Sequence, residues 1–374
     1  MSVRCQNTST RRTEAGTRAA PRVAALGAAL LVLAGCTSAA GDDTPDDDSP
    51  DGTPAVVATT TVLGDVAGRV AECGGLEART LMPVGADPHD FAPSSADVRD
   101  LVRADLVVAN GLGLEEGLGA ALASARADGA TVLEVAPLLD PIPMSDEHSH
   151  EGEHEHAHEG DDHEADEHHD DEAHEAEAHD EHAHDDEAHD DEAHAHEHGS
   201  LDPHVWLDAD RMARAARLIG DELARITGDD ALAACGDQVG DDLDGVDAEV
   251  REILAAVPNG SRVLITDHAA FGYFADAYGF EIPGVVVPGG STLAEPSSAE
   301  LAALAAVIRE SGVRAIFANT ADSTDLVAAL ATEVGRVEVV ELYVGSLGPD
   351  GSGAEDYAGM MRTNAGLVAQ ALTE

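Results

Sequence analysis

The strongest constraint on folding is a long segment with almost nothing to bury. Between Asp146 and His198 lie 25 acidic residues and 16 histidines, with no basic residue, in near-repeats such as His-Asp-Asp-Glu-Ala-His. Too few apolar groups are available to offset the entropy of ordering such a chain, so the segment is expected to be disordered. Any compact fold must be built from the sequence on either side. The whole chain of 374 residues carries a formal net charge of -54, and every basic residue is an arginine. That charge argues against nucleic acid, whose phosphates need Lys/Arg neutralisation, and against an electrostatic hold on anionic lipid. Cations are the natural partners.

Residues 1–35 read as a signal peptide. Arg4, Arg11, Arg12, Arg18 and Arg22 make a positive start, followed by a short apolar run over 23–34. About a dozen apolar residues fall short of the roughly 20 that span a bilayer, so a stable transmembrane helix is not expected. Leu33-Ala34-Gly35-Cys36 resembles the lipobox of bacterial lipoproteins, in which the cysteine is acylated; ordinary cleavage near Ala39-Ala40 is the alternative. Acylated Cys36 would anchor the protein to the outer face of the cytoplasmic membrane, at the cell surface or in the periplasm. Residues 36–54 then form a lipidated N-terminus and a disordered Asp/Pro spacer. Cys5 leaves with the leader, so Cys73 and Cys235 remain, either bonded to each other or free.

From residue 55 short apolar strands alternate with amphipathic helices. Strands are expected at 56–61, 77–81, 106–109 and 131–135, and helices at 63–71, 94–104 and 114–125, with Ser94 or Ser95 as a cap. Beyond the acidic segment, 208–257 is mostly helical and broken at Gly228. Its second half allows a helix of about 28 residues, roughly 42 Å long. Further strands fall at 263–266, 285–287, 315–318 and 337–342. Helices fall at 269–278, 297–311 opening with Pro296, 323–334 and 356–371.

This pattern predicts an α/β fold with two parallel-sheet lobes bridged by a long helix. The expected divisions are a first lobe at 55–145, the His-rich loop at 146–199, the rest of the first lobe at 200–228, the linking helix at 229–257 and a second lobe at 258–374. Ligands of open α/β sheets bind at the carboxyl ends of the strands, which points to a cleft between lobes. Gly111-Leu112-Gly113 follows a strand as a dinucleotide fingerprint would, but Glu116 occupies the place of the third glycine. The two glycines are read as a tight strand-to-helix turn.

Imidazole is mostly neutral at pH 7 and is the commonest borderline-soft metal ligand. Pairs such as His154/His156, His182/His184 and His194/His196 make the acidic segment an auxiliary metal-binding loop with many weak, exchangeable sites. A solvated spacer is the bland alternative. Outside it only three histidines remain: His89, His204 and His268. Two lie in identical tripeptides, Asp87-Pro88-His89 and Asp202-Pro203-His204, and the third follows a strand in Thr266-Asp267-His268. A single loop histidine is usually just a polar surface residue; three in Pro-fixed or strand-end positions make that reading less comfortable and point to a ligand set. Proline restricts the backbone beside two of them, and a nearby Asp can orient each ring, although sequence does not say which. Three imidazoles with one open position suit tetrahedral Zn²⁺.

Three motifs also carry a resemblance: residues 83–91 (Pro-Val-Gly-Ala-Asp-Pro-His-Asp-Phe), 202–208 (Asp-Pro-His-Val-Trp-Leu-Asp) and 267–274 (Asp-His-Ala-Ala-Phe-Gly-Tyr-Phe). With the acidic His-rich insertion between the first two, the sequence resembles the cluster A-I (cluster 9) substrate-binding proteins of zinc and manganese ABC transporters, ZnuA-like. The resemblance spans residues 55–374 and implies the TroA-like periplasmic-binding-protein fold, with metal between two lobes. It carries the family's metal ligands to His89, His204 and His268. Manganese members tend to have a carboxylate at the third position, so His268 favours zinc over Mn²⁺. Many relatives hold a fourth ligand, an aspartate, where Gly345 stands in Val344-Gly345-Ser346-Leu347. That leaves water, a carboxylate such as Asp350 or Glu355, or a histidine of the acidic loop.

The resemblance thus implies an extracytoplasmic receptor, monomeric and not an enzyme, that captures Zn²⁺ and delivers it to an ABC permease. Two rivals remain. The His-rich loop could make the protein a zinc buffer or chaperone. Three histidines plus water could make it a zinc hydrolase, although no general base is identifiable.

Overall fold

The computed structural model describes residues 55–144, 201–289, 291–335 and 337–373. The leader, Cys36, the spacer and the His-rich loop with His154, His156, His182, His184, His194 and His196 lie outside the described residues. Among the described residues no helix is long and apolar enough to cross a membrane.

The first half runs β1 (Ala55–Ala58), α1 (Thr61–Cys73), β2 (Glu77–Thr80), α2 (Ser95–Arg103), β3 (Leu106–Ala109), α3 (Gly119–Ala127) and β4 (Thr131–Glu134). Its four strands are all parallel, in the order β2-β1-β3-β4. The apolar run of β3 is buried on both faces, as a central parallel strand sandwiched by helices requires. The second half, after α4 (Ala209–Thr227) and α5 (Ala231–Leu254), runs β5 (Val263–His268), α6 (Gly272–Tyr278), β6 (Glu281–Val287), α7 (Ser298–Ser311), β7 (Ala315–Asn319), α8 (Asp325–Val334), β8 (Glu338–Leu342) and α9 (Tyr357–Thr373). Its sheet repeats the same winding, β6-β5-β7-β8, again parallel throughout.

Local chemistry explains most boundaries. Thr60 caps α1 through its hydroxyl, which accepts from the Leu63 amide, and the next strand-like residues of the expected 56–61 run become helix at that point. Asp208 caps α4, and Gly228, at φ 74°, ends it in the left-handed conformation that glycine adopts without strain. Ser297, not Pro296, starts α7: its hydroxyl accepts from the Glu300 amide while the Glu300 carboxylate reaches back, a reciprocal cap that proline cannot provide. The expected helix at 114–125 resolves into a single 3-10 turn, Glu116–Leu118, followed by α3. Gly111, Leu112 and Gly113 all have positive φ, which makes the Gly-Leu-Gly segment the tight turn expected.

The bridge is α5. Its buried residues Leu232, Cys235, Val239, Leu243, Val246, Val250 and Leu254 recur at helical spacing, so one stripe faces inward over 24 residues. It packs on α4, on α1 of the first half and on α9 of the last. The crossing with α4 is close enough to need glycine on both sides: a Cβ on Gly236 would lie 2.8 Å from the Ala216 carbonyl and 2.9 Å from Gly220 Cα. Near the same crossing Cys73, at the end of α1, is bonded to Cys235 with a Cα–Cα distance of 5.8 Å. The largest apolar cluster combines α1, α4, α5 and α9 with the inner faces of both sheets, and a smaller cluster lies under the outer helices of each.

Candidate metal centre

The two Asp-Pro-His tripeptides fold alike. In each, the Asp Oδ1 accepts the backbone amide of the histidine two residues on, at 3.0 Å for Asp87–His89 and 2.9 Å for Asp202–His204. This is the local aspartate turn that a following proline, which fixes φ, makes favourable. His89 sits on the loop after β2, His204 on the segment leading into α4, and His268 is the last residue of β5. β5 is therefore two residues longer than expected, and it places His268 opposite Val287 at the end of β6.

The three rings converge although 64 residues or more separate their positions in sequence. Each is at most 3% exposed. One nitrogen from each lies within 4.8 Å of the others. The Nε2 atoms of His89 and His204 are 3.3 Å apart. Two nitrogens on one tetrahedral zinc ion, at about 2.0–2.1 Å each, would be roughly 3.3–3.4 Å apart, so this spacing suits a shared cation.

Carboxylates set the orientation of two rings. Asp202 Oδ1 lies 2.8 Å from His204 Nδ1, and Asp267 Oδ1 lies 2.9 Å from His268 Nδ1. With Nδ1–H donated outward, Nε2 is left as a lone-pair ligand facing the centre. Asp267 does a second job: its Oδ2 accepts the Asn319 amide at the end of β7. Asp87 does not reach a ring. It holds the His89 backbone and accepts from the Thr292 hydroxyl on the loop after β6, and the Nδ1 of His89 has no partner among the described residues.

These surroundings divide the protonation behaviour. Burial, with the neighbouring His204 and His268, pushes His89 down to about 2 and keeps it neutral. Burial also lowers His204, against the opposing hydrogen bond and charge of Asp202. Burial would lower His268 as well, but Asp267, aided by Asp322 and Asp87, outweighs it and raises the ring above its ordinary value.

On the His268 side the centre adjoins a cavity of about 340 Å³ lined by Asp87, Asp90, Asp267, Glu295 and Asp322. Burial and the nearby Asp87 push the Asp322 carboxyl up to about 6. Such a wall favours cations over anions.

Other contacts join the halves around the centre. Trp206 Nε1 donates to the Val344 carbonyl at 2.8 Å, and the Tyr357 hydroxyl donates to the Trp206 carbonyl at 2.7 Å. Ser346 Oγ accepts the Gly85 amide at 2.8 Å. Gly345 lies against the first ligand loop, since a Cβ there would be 3.0 Å from Pro88 Cδ.

The two carboxylates expected as alternatives for the fourth position are not brought to the centre. Asp350 and Glu355 are exposed, on the loop that enters α9, and Glu355 accepts the Gly351 amide at 2.6 Å. A glycine-rich turn with its own carboxylate cap keeps them there. Instead, Asp267 and Asp322 approach His268, each with an oxygen within 4.8 Å of one of its ring nitrogens. Sequence reasoning passed over Asp322 because only the adjacency of β5 and β7 brings the 320–324 turn to His268.

Residues 56–371 match the family described as "ZnuA: Zinc-uptake complex component A periplasmic". Among curated proteins, the zinc-binding protein TroA of Treponema pallidum is 30% identical over 358 residues, covering 94% of this chain and 98% of TroA. The manganese-binding lipoprotein MntA of Halalkalibacterium halodurans is 24% identical over 347 residues, covering 92% and 95%. Among solved structures, the periplasmic zinc-binding protein TroA of Treponema pallidum superposes with a TM-score of 0.65 at 28% identity, covering 86% of this chain and all of TroA.

Proposed function

Because the chain belongs to the ZnuA family, the substrate-binding proteins of metal ABC transporters, we propose that it is a zinc receptor. It captures Zn²⁺ on His89, His204 and His268 outside the cytoplasm and delivers the ion to a membrane permease. The observation that carries this reading is the convergence of three buried imidazoles, two of them oriented through Nδ1 by Asp202 and Asp267. Neutral nitrogen donors suit zinc, whereas Mn²⁺ favours oxygen. The acidic cavity beside His268 draws cations toward the centre, and lipidation at Cys36 keeps the receptor, as a monomer, at the membrane. Release is driven by docking to the permease, which loosens contacts that cross between the halves, such as Asp87–Thr292.

The test is zinc and manganese calorimetry on protein lacking residues 146–198, with and without His268→Ala. One tight zinc, with manganese weaker, is expected in the parent and lost in His268→Ala. Sub-micromolar zinc binding retained by His268→Ala would refute the centre as drawn. Collapse of all tight binding on deletion alone would make the His-rich loop the functional element. Tighter manganese than zinc would reverse the choice of ion.

A further inference from the structure

Three imidazoles leave a four-coordinate ion one ligand short, and Gly345 has no side chain to offer. The nearby carboxylates differ in how much of their capacity is already used. Asp202 holds both the backbone and the ring of His204 through one oxygen. Asp267 holds the backbone and ring of His268 with Oδ1 and the Asn319 amide with Oδ2, so both oxygens are engaged in fixing the strand ends. Asp87 is likewise engaged at both oxygens, by the His89 amide and the Thr292 hydroxyl. Removing any of these from its partner would disturb a ligand already in place.

Asp322 is different. It is half-buried on the short turn between β7 and α8, and its Oδ2 accepts from the Asn319 side-chain amide at 2.7 Å. Its carboxylate has an oxygen within 4.8 Å of a ring nitrogen of His268, and it lines the cavity that opens beside that ring. It orients no histidine. Turning it toward a metal therefore costs one hydrogen bond between a side-chain amide and a carboxylate and leaves all three imidazoles positioned.

We propose that Asp322 supplies the oxygen ligand that completes the three-histidine centre of this chain. The carboxylate lies outside the 4.8 Å set formed by the three rings, so binding draws the 320–324 turn inward over the His268 side of the ion. The turn carries only five residues between β7 and α8, and all five are at least partly exposed, so little packing opposes the movement. The resulting donor set is three nitrogens and one anionic oxygen, which lowers the net charge of the bound ion to +1 and matches the acidic wall of the cavity less strongly than the free cation does. The carboxylate thus acts on entry as part of the attracting wall and, once bound, as a ligand.

This inference rests on the zinc-receptor reading, and the experiment separates the two. Intact protein is given less than one equivalent of Co²⁺, so that its tightest site fills before weaker ones, and zinc affinity is measured by competition with a chelator. Asp322→Asn preserves size and the Asn319 contact but removes the anionic donor. A loss of roughly tenfold or more in zinc affinity is expected, at least the effect of an outer-shell change. The visible Co²⁺ bands should also shift and weaken as water replaces the carboxylate. Asp350→Asn, on the exposed loop, should change neither, and the metal-free Asp322→Asn protein should melt at the wild-type temperature. Zinc affinity within twofold of wild type together with unchanged Co²⁺ bands in Asp322→Asn would overturn the proposal, and the reading of the three histidines would stand if His268→Ala still abolished tight binding. Tight binding in both variants would remove the histidine centre itself.

Discussion

Asp202 offers the sharpest test of how the centre is held. Its side chain is buried, at 2% exposure, and a single oxygen serves both the His204 amide at 2.9 Å and the His204 ring at 2.8 Å. The backbone of Asp202 is itself fixed, because its amide donates to the Ile142 carbonyl and its carbonyl accepts from the Tyr273 hydroxyl. Asp202→Asn keeps the shape and one acceptor but removes the charge. A charge-assisted hydrogen bond is about twice as strong as a neutral one, and solvent does not screen the difference at this depth. Loss of an orienting carboxylate behind a metal-bound imidazole costs roughly 10–100-fold in affinity. That is about 1.4–2.7 kcal/mol. The assay is competition for zinc against a fluorescent chelator, with thermal unfolding of the metal-free protein as the control for folding. Trp206, whose ring centroid is 5.3 Å from that of His204, gives a second optical signal at the same place. A zinc Kd within twofold of wild type, in a variant that melts normally, would refute the role assigned to Asp202.

Three further outcomes follow from the same structure. Since Asp267 and its acidic neighbours raise His268 above the ordinary value against burial, zinc must displace a proton from it. This proton should make apparent affinity rise with pH by about tenfold per unit below that raised value and level off above it, with a steeper rise below about 6 if Asp322 also binds. Calorimetry in buffers of different ionisation enthalpy would count the proton, and Asp267→Asn should move the break to lower pH, while His89, held near 2, adds no slope in this range. Gly236→Ala sets a methyl 2.8 Å from the Ala216 carbonyl, where backbone cannot yield cheaply, and should lower stability by roughly 1–3 kcal/mol in urea unfolding. Replacing Cys73 and Cys235 by serine opens a link across 162 residues and should cost roughly 2–5 kcal/mol, read as a fall in melting temperature that reducing agent reproduces in the wild type.

The candidate histidines were legible because the local settings of two of them repeat. Asp87-Pro88-His89 and Asp202-Pro203-His204 share one backbone turn, and that turn is written in the proline and the aspartate. Strand and helix order was equally legible, since apolar four-residue runs such as 106–109 have only one environment open to them in a parallel sheet. What the sequence withheld was pairing over distance. The two Asp-Pro-His motifs look identical, yet only Asp202 turns its carboxylate onto the ring, while Asp87 spends its second oxygen on Thr292 from the other half. The Cys73–Cys235 bond depends on the α1–α5 contact, and Asp322 depends on β5 and β7 being neighbours. Pro296 misled for a smaller reason: Ser297 with Glu300 makes a reciprocal cap, which fixes the first turn more strongly than a preset φ does.

Pro143 and Leu201 pair as an antiparallel bridge, and the Asp202 amide donates to the Ile142 carbonyl beside it. Described residues on either side of the His-rich segment are thus paired with each other, three residues ahead of His204. A pairing of this kind makes the scaffold nearly indifferent to the length of the segment between its ends, because each doubling of an inserted loop adds only about 0.6 kcal/mol. The position is a natural socket: a fluorescent domain or a different ligand-rich segment could be exchanged there without recutting either sheet, and it would be reported on by a metal site one turn away.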